Sequence, residues 1–428
     1  MSGPGMTTLR AGTVLVGDAA GTVWSPGEVS WSRDRLDYVG PPRPGHPTGR
    51  LIDLASGVVF PALVNAHNHA AMSLLRGYAD DVRLMPWLEQ FIWPAEARLT
   101  ADDVYWGTLL AIAEMLRSGT GAFLDMYMFP RAVARAAEAA GVRVGIARGI
   151  VGDLPEAEAR LAEAVELAEE WRPSRLVRGW LGPHAPYTCS PDLLRAVGRL
   201  AETHGLPIHI HVAESAEEVD EVARRHQQTP VQYVRDLGLL GPRTVVAHAV
   251  AITPADVAIL AASGTAVAHC PVSNLKLGNG IAPVRSLLDA GVRVALGSDG
   301  PASTNTLDMF LEMRQAAWLQ KSVGANPAAF TARDALALAT RLGADAMGLS
   351  GGELVAGRPA DLAAARWWTP HTVPSHDPFS TLVYATRPED VCYTVVDGRI
   401  LLDDGVITTF DESAVLDEAR ARAASLVG

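Results

Sequence analysis

Two periodicities of apolar residues alternate through the middle of the chain, from about residue 58 to residue 354. Short apolar runs typical of strands are each followed by a segment whose apolar residues recur every three to four positions, as on one helix face. Eight such strands predict a (β/α)8 TIM-like barrel of the α/β class, with its functional site at the carboxyl ends of the strands. The predicted strands are 58–65, 121–126, 142–147, 177–181, 207–212, 244–249, 264–268 and 292–297. The predicted helices include 102–118, 155–171, 191–204, 230–237, 254–263 and 283–290, several with Pro near the first turn.

Both ends of the chain have a different texture, with short strands separated by Gly and Pro turns. Neither end is long enough to enclose a core alone, so we predict that residues 1–57 and 355–428 pair into one small β-sandwich domain. The dipeptide Asp397-Gly398 indicates a hairpin in its second half, and residues 411–426 predict a terminal helix. Residues 58–354 then form the catalytic barrel.

Composition narrows the classes of partner. The 428 residues include 48 acidic and 36 basic side chains, a net charge of -12, which argues against binding to a nucleic-acid backbone. A small-molecule substrate fits better. We also expect a homo-oligomer, either a dimer or a tetramer.

Cysteine usage and apolar run length bear on the compartment. Cys189, Cys270 and Cys392 are an odd, widely spaced set, which fits a reducing compartment rather than a disulfide framework. Residues 1–12 contain no apolar signal segment, and no run of about 18 apolar residues occurs. We therefore expect no membrane association and a cytoplasmic location.

Histidines mark the predicted strand ends. His67 and His69 flank one residue at the end of the first strand, so their side chains point to the same side. His211, His248 and Asp299 follow the fifth, sixth and eighth strands. Burying so many titratable groups at one edge is costly unless a metal or hydrogen bonds offset the cost. Other polar residues at strand ends are Arg148 and His184.

These residue types suit a metal site. Imidazole and carboxylate ligands favour zinc, with iron or manganese as alternatives, and a catalytic ion needs one position left for water. His67, His69, His211 and Asp299 plus a water would complete such a sphere. A role for His248 as a fourth protein nitrogen remains open at this point.

Eight motifs carry a resemblance that covers essentially the whole chain. They are Asn65-Ala-His-Asn-His69, Leu74-Leu-Arg-Gly77, Pro86-Trp87-Leu, Pro94-Ala-Glu96-Ala-Arg98-Leu, Gly182-Pro-His-Ala-Pro-Tyr187, His209-Ile-His-Val-Ala-Glu214, His269-Cys-Pro-Val-Ser-Asn274-Leu-Lys-Leu-Gly and Gly297-Ser-Asp-Gly-Pro301. In order and spacing the chain resembles the amidohydrolase superfamily, and within it the 5-methylthioadenosine/S-adenosylhomocysteine deaminases.

Lysine content distinguishes two kinds of site in that superfamily. Members with two metals bridge them by a carboxylated lysine on the fourth strand, but the only lysines here are Lys276 and Lys321. The resemblance therefore implies one divalent ion per subunit.

The resemblance also implies roles in a deamination. A bound metal lowers the pKa of its water toward about 7, and the resulting hydroxide attacks the amino-bearing carbon of an adenine ring. Asp299 is placed to take the proton of the water, Glu214 to protonate the neighbouring ring nitrogen, and His248 to stabilise the attacking water.

Substrate contacts are likewise implied. Glu96 is expected on the ribose hydroxyls, His184 near the purine or ribose, and Arg148 and Arg160 toward the 5' substituent. A surface ion pair is the alternative for Arg160, and a salt bridge with Arg98 or a helix start is the alternative for Glu96. We further expect substrate contacts from Trp87 and Ser303.

The expected function is zinc-dependent hydrolysis of the 6-amino group of an adenine nucleoside, such as S-adenosylhomocysteine, 5'-methylthioadenosine, 5'-deoxyadenosine or adenosine. The alternative is attack on another amino- or chloro-substituted N-heterocycle of the guanine or triazine type. Hydrolysis of a cyclic amide is disfavoured because it usually accompanies the two-metal site. A non-catalytic scaffold is disfavoured because every expected acid, base and ligand is present.

Overall fold

The computed structural model describes residues 5–45 and 49–427. Its centre is an eight-stranded parallel sheet in consecutive order, β6 to β13. The strands are β6 (Leu63–Asn68), β7 (Thr120–Tyr127), β8 (Arg143–Ile150), β9 (Val177–Pro183), β10 (Ile208–Val212), β11 (Thr244–His248), β12 (Ala266–His269) and β13 (Arg293–Leu296).

The sheet nearly closes into a barrel where its first and last strands meet. Ser298 lies just beyond β13. The side chain of Asn65, in β6, donates to Ser298 Oγ at 2.7 Å and accepts from the Ser298 amide at 2.9 Å. The amide of Asp299 donates to the carbonyl of His67 at 2.9 Å. The predicted barrel is confirmed, and its closure brings the ends of the first and eighth strands into contact.

The first barrel strand differs from its prediction. Residues 58–61 belong to β5 (Arg50–Pro61), a strand of the other sheet, and the barrel strand begins at Leu63. The apolar run is continuous in sequence, but residues 57–61 pair with β14 (Leu362–Arg366) about 300 residues later. Apolarity alone does not indicate which sheet such a run joins. The predicted boundary between residues 57 and 58 falls inside β5, and the domain division itself stays a prediction.

The two chain ends form the second sheet, as expected. It has nine strands, antiparallel apart from the β1 and β5 pair, and side chains such as Leu9, Trp31, Leu362 and Val395 share its own core. The hairpin at Asp397-Gly398 is confirmed, with both residues at positive φ. The predicted ends at residues 1–4 and 428, and residues 46–48 of the loop, lie outside the described residues. The remaining strands are β1 (Thr7–Leu15), β2 (Val23–Trp24), β3 (Gly27–Ser32), β4 (Arg35–Gly40), β15 (Val391–Val396), β16 (Arg399–Asp403) and β17 (Val406–Ile407).

Helices surround the barrel, and all six predicted helices are present within one or two residues of their predicted bounds; the terminal helix is present as well. The predicted helices did not include α4, between β7 and β8, α7, after β10, or the long helix α13, after β13. They also did not include the short helices α1, α2, α10, α12, α14, α15 and α16. None of the described helices has the length and apolarity needed to span a membrane. They are α1 (Leu84–Trp87), α2 (Trp93–Glu96), α3 (Ala101–Arg117), α4 (Pro130–Ala140), α5 (Leu154–Glu170), α6 (Pro191–His204), α7 (Ala216–His226), α8 (Pro230–Asp236), α9 (Pro254–Ser263), α10 (Pro271–Lys276), α11 (Val284–Asp289), α12 (Pro301–Thr304), α13 (Met309–Val323), α14 (Ala332–Leu338), α15 (Arg341–Ala346), α16 (Pro378–Ser380) and α17 (Glu412–Val427).

Candidate active site

Three barrel strands bring four ligand-type side chains to one point at the carboxyl end of the barrel. Asp299 Oδ1 lies 3.3 Å from His67 Nε2 and 3.2 Å from His69 Nε2. His211 Nε2 lies 3.3 Å from His69 Nε2. The structure therefore brings together all four predicted metal ligands, in contact with one another and nearly excluded from solvent.

Hydrogen bonds decide which nitrogen of each imidazole faces this point. Nδ1 of His69 donates to the Met126 carbonyl at 2.6 Å, and Nδ1 of His211 donates to the His184 carbonyl at 2.7 Å. A carbonyl can only accept, so Nδ1 of each ring carries a proton and Nε2 is the nitrogen that faces this point.

His67 is oriented by a histidine that the sequence analysis left without a role. Nδ1 of His209 is 3.0 Å from the Val245 carbonyl and must donate to it, so His209 Nε2 accepts. Its donor is Nδ1 of His67, 2.7 Å away, and both rings are fully buried. His209 thus leaves His67 Nε2 free for the shared point. A sequence signal did exist, because the His-x-His spacing of residues 67 and 69 recurs at 209 and 211.

Asp299 is held by donors from two short helices, α10 and α12, and by the Gly300 amide. Its Oδ2 accepts from Ser273 Oγ at 2.6 Å and from Ser303 Oγ at 2.9 Å, while Oδ1 accepts from the Gly300 amide at 2.7 Å. Ser303 was expected to contact substrate, but its hydroxyl is turned to Asp299 and its side chain is not among those that line the described cavity. The reason is local: the short helix α12 follows Asp299 directly and folds Ser303 back onto it.

The donor set fits a divalent metal ion. His67 Nε2 is buried and has no hydrogen-bond partner among the described residues. Burial lowers the pKa of His67 to about 3, so its ring is neutral and able to ligate at pH 7. Burial raises the pKa of Asp299, but the nearby His67 and His69 rings outweigh it and hold that pKa well below its ordinary value. Burial lowers the pKa of His69, but Asp299 outweighs it and raises that pKa to about 9, so this point attracts positive charge. Three imidazole nitrogens and one carboxylate that converge here suit a divalent cation, which would take the place of the proton.

Glu214 and His248, two of the predicted catalytic residues, lie beside this cluster. Glu214 Oε2 is 3.7 Å from His248 Nε2, and its Oε1 accepts from Asn279 Nδ2 at 3.1 Å. Nδ1 of His248 bonds Asn274 Oδ1 at 2.9 Å, which turns Nε2 toward the site. Burial is the main reason that the pKa of Glu214 is raised. His67, His248 and Asp299 also form a group with metal-binding spacing, so both interpretations of His248 stay open.

The turn that carries Glu214 is clamped by a second glutamate. The Glu218 carboxylate accepts the amides of Ala213 at 2.9 Å and Glu214 at 2.8 Å. Ala213 has a φ of 54°, in the left-handed region that disfavours a residue with a side chain. Glu218 therefore stabilises a strained turn that aims Glu214 at the cluster.

A cavity of about 640 Å³ opens above the cluster. Five predicted substrate contacts besides Glu214 line it, namely Trp87, Glu96, Arg148, Arg160 and His184. The ion pairs considered as alternatives do not appear among the described contacts of these two residues: Arg160 donates to the Val151 carbonyl at 3.0 Å. Glu96 lies in the first turn of α2, so its alternative role at a helix start stays open. Burial raises the pKa of Glu96 to about 7, and the nearby Tyr127 hydroxyl opposes that shift. The contacts themselves stay predictions.

Known proteins share this whole architecture. The model of the Amidohydrolase family matches residues 58–401. A 5-methylthioadenosine/S-adenosylhomocysteine deaminase of Symbiobacterium thermophilum is 46% identical over 98% of both chains. A 5'-deoxyadenosine deaminase of Methanothermobacter thermautotrophicus is 45% identical over 88% of this chain and 90% of its own. The crystal structure of an adenosine deaminase from Xanthomonas campestris with bound zinc superimposes with a TM-score of 0.95, at 34% identity and 98% coverage of each chain. The chain therefore belongs to the amidohydrolase family and groups within it with the 5-methylthioadenosine/S-adenosylhomocysteine deaminases.

Proposed function

We propose that the protein is a metal-dependent hydrolytic deaminase that converts the 6-amino group of an adenine nucleoside to a carbonyl and releases ammonia. The observation that carries this proposal is that a single-metal ligand set, which includes the Asp299 carboxylate, lies at the base of one cavity beside a second carboxyl group, Glu214. The relatives named as deaminases of adenosine derivatives support it over nearly the whole chain.

A divalent ion bound by the four ligands would supply the activation of water, because it lowers the pKa of water toward about 7. Asp299 accepts the proton of that water and carries it toward the departing amine. Ser273 and Ser303 hold its Oδ2, which leaves Oδ1 on the side of the imidazoles.

Glu214 donates a proton to the ring nitrogen next to the carbon under attack. A carboxyl with a raised pKa suits this role, since it must carry its proton at neutral pH. The proton makes the ring carbon more electrophilic and stays on the ring nitrogen of the 6-oxo product. When ammonia leaves, the hydroxyl formed by the attack gives its proton to Glu214 and becomes the carbonyl. His248, beside Glu214, hydrogen-bonds the attacking water through Nε2.

We assign one zinc ion per subunit, with iron or manganese as alternatives. Three imidazoles and one carboxylate suit zinc, and the zinc in the 34% identical adenosine deaminase supports it. The fourth barrel strand contains no lysine that could bridge a second ion. His248 stays a candidate for an additional ligand.

Around the substrate, we propose that Glu96 accepts hydrogen bonds from the ribose hydroxyls and that His184 and Trp87 contact the nucleoside. Arg148 and Arg160 face its 5' side. The three cysteines are free and buried, which fits a reducing cytoplasm, and Trp368, 77% exposed, is a candidate contact in a dimer or tetramer. Light scattering of the purified protein measures the number of copies.

The experiment that tests the activity is a substrate panel. It contains adenosine, 5'-deoxyadenosine, methylthioadenosine, S-adenosylhomocysteine, guanine and a chlorotriazine, with ammonia release as the readout and chloride release for the last. We expect turnover of the nucleosides only. Reaction of only the two non-nucleosides would refute the assignment.

A further inference from the structure

One segment of the chain, residues 77–97, supplies much of the cavity wall, and we call it the mouth segment. It follows the first barrel strand and contains α1 and α2. Its side chains that line the cavity are Leu84, Trp87, Leu88, Trp93, Glu96 and Ala97. Polar ties between this segment and the rest of the chain are few: among the described side-chain hydrogen bonds and ion pairs, they come from Asp80 and Arg83 alone.

Of these two ties, the one through Asp80 is the stronger. Arg83 lies 3.5 Å from Glu217, and the two side chains are 84% and 60% exposed, so this pair contributes little. Asp80 Oδ1 accepts from Lys276 Nζ at 2.6 Å, and its Oδ2 accepts from Asn305 Nδ2 at 3.1 Å. The Lys276 and Asp80 side chains are only 22% and 37% exposed. The hydrogen bond from Lys276 is the main reason that the pKa of Asp80 is lowered.

The Lys276 ammonium joins three loops at the carboxyl end of the barrel. It has three N–H groups to donate, and the structure gives it three acceptors. They are Asp80 Oδ1, the Ala302 carbonyl at 3.3 Å and Asn305 Oδ1. Lys276 is the last residue of α10, after β12, whereas Ala302 and Asn305 belong to α12 and its C-terminal cap, after β13. The mouth segment is thereby fastened to both of these loops.

The turn that carries Asp80 depends on such contacts. Ala79 and Asp81, on either side of it, have φ values of 61° and 64°, in the left-handed region that disfavours residues with a side chain. A backbone of this kind persists only where its surroundings hold it. Without the ammonium of Lys276 we expect this turn to relax and to move Trp87, which lies seven residues later in the cavity wall.

We propose that Lys276 is a positioning residue whose ammonium holds the mouth segment in place and so fixes the wall against which the substrate binds. This inference rests on the proposed function for the identity of that substrate. The reaction centre depends less on Lys276, because Asp299 keeps its hydrogen bonds from Ser273 and Ser303. Loss of the ammonium should therefore weaken substrate binding more than turnover.

The test is Lys276→Met, which keeps an unbranched side chain but removes the three donors. We expect KM for methylthioadenosine to rise by about tenfold, while kcat stays within about threefold of the unaltered enzyme. Lys321→Met is the matched control, because Lys321 is the only other lysine of the chain and donates instead to the Tyr384 hydroxyl, at 2.6 Å. It should leave KM and kcat as they were.

A second variant and a second measurement separate the contact from a general loss of structure. Asp80→Asn should raise KM to a similar extent, and the double variant should be no worse than Lys276→Met, because both changes remove the same contact. Trypsin cleavage after Arg83 reports the mouth segment without any substrate. We expect this cleavage to be about tenfold faster in Lys276→Met, measured by mass spectrometry of the fragments 1–83 and 84–428.

Three results would overturn the inference: an unchanged KM in Lys276→Met, additive effects of the two substitutions, or an unchanged rate of cleavage after Arg83. Failure of the proposed function looks different. In that case no variant would release ammonia from a nucleoside, and the cleavage rate after Arg83 would still show whether Lys276 holds the segment.

Discussion

Replacing His209 tests whether a buried hydrogen bond to His67 prepares the metal site. His209 Nε2 accepts from His67 Nδ1 at 2.7 Å, and neither ring is exposed. In His209→Leu this buried N–H loses its acceptor, at a cost of about 1–3 kcal/mol. The alternative for His67 is to move its proton to Nε2, which blocks the ligand position. Since about 1.4 kcal/mol is a factor of ten, metal affinity should fall by about 10- to 100-fold.

The assay is a zinc titration of the metal-free protein against a chromophoric chelator, which reports affinity without turnover. His209→Gln is the matched variant, because its amide oxygen can reach about the position of Nε2 and accept from His67. We expect His209→Gln to bind zinc within about threefold of the unaltered protein. Circular dichroism and thermal unfolding of the metal-free variants check that both fold. A folded His209→Leu protein that binds zinc as tightly as the unaltered protein would refute the reasoning.

Three further predictions concern the proton donor, the metal count and a remote ion pair. Glu214→Gln should keep its metal, because Glu214 is not among the four ligands, but lower kcat by about 100-fold or more, measured by ammonia release. Elemental analysis of the purified enzyme should find about one metal ion per chain. Glu28→Gln should destabilise the β-sandwich by about 1–2 kcal/mol at pH 7, measured by urea unfolding, because Arg10 and Arg43 lose a buried carboxylate partner.

The Glu28 effect should also depend on pH. Burial raises the pKa of Glu28, but hydrogen bonds from Arg43 and Arg10 outweigh it and lower that pKa below 4.5. A carboxyl group whose pKa is lower in the folded than in the unfolded protein stabilises the fold at pH values above its unfolded-state pKa. This contribution is lost as the pH falls through its folded-state pKa. The difference between Glu28→Gln and the unaltered protein should therefore shrink below pH 4.5. A constant stability difference from pH 7 to pH 3.5 would contradict this explanation. Near-normal turnover by Glu214→Gln would contradict the proton-donor prediction, and two metal ions per chain would contradict the metal count.

Most of the fold was predictable because the relevant signals are local. Each apolar strand and its amphipathic helix are encoded within about 30 residues, and the order of the pairs leaves few topologies. The error at residues 58–65 shows the limit. That run was assigned to one barrel strand, yet its first four residues pair with β14, and nothing near them in sequence indicates a partner some 300 residues away.

The candidate site likewise contains residues whose placement the sequence predicted and others whose placement only the structure showed. His67, His69, His211 and Asp299 were predictable because strand ends of a barrel meet at one edge, so position along each strand implies proximity. Ser303 was expected to contact substrate, and its hydroxyl donates to Asp299 instead, because α12 folds back after Asp299 and the sequence does not give the direction of that turn. Glu163 went unnoticed as the partner of Arg148 since one glutamate among six on a helix has no distinguishing pattern.

By itself, then, the sequence determined the barrel, the candidate ligands and the absence of a bridging lysine. Only the tertiary structure decided how those ligands present themselves. The choice of Nε2 over Nδ1 depends on acceptors from other strands, the Met126 and His184 carbonyls and the ring of His209. A histidine has two nitrogens of similar basicity, and which one carries the proton is set by its hydrogen-bond partner in space.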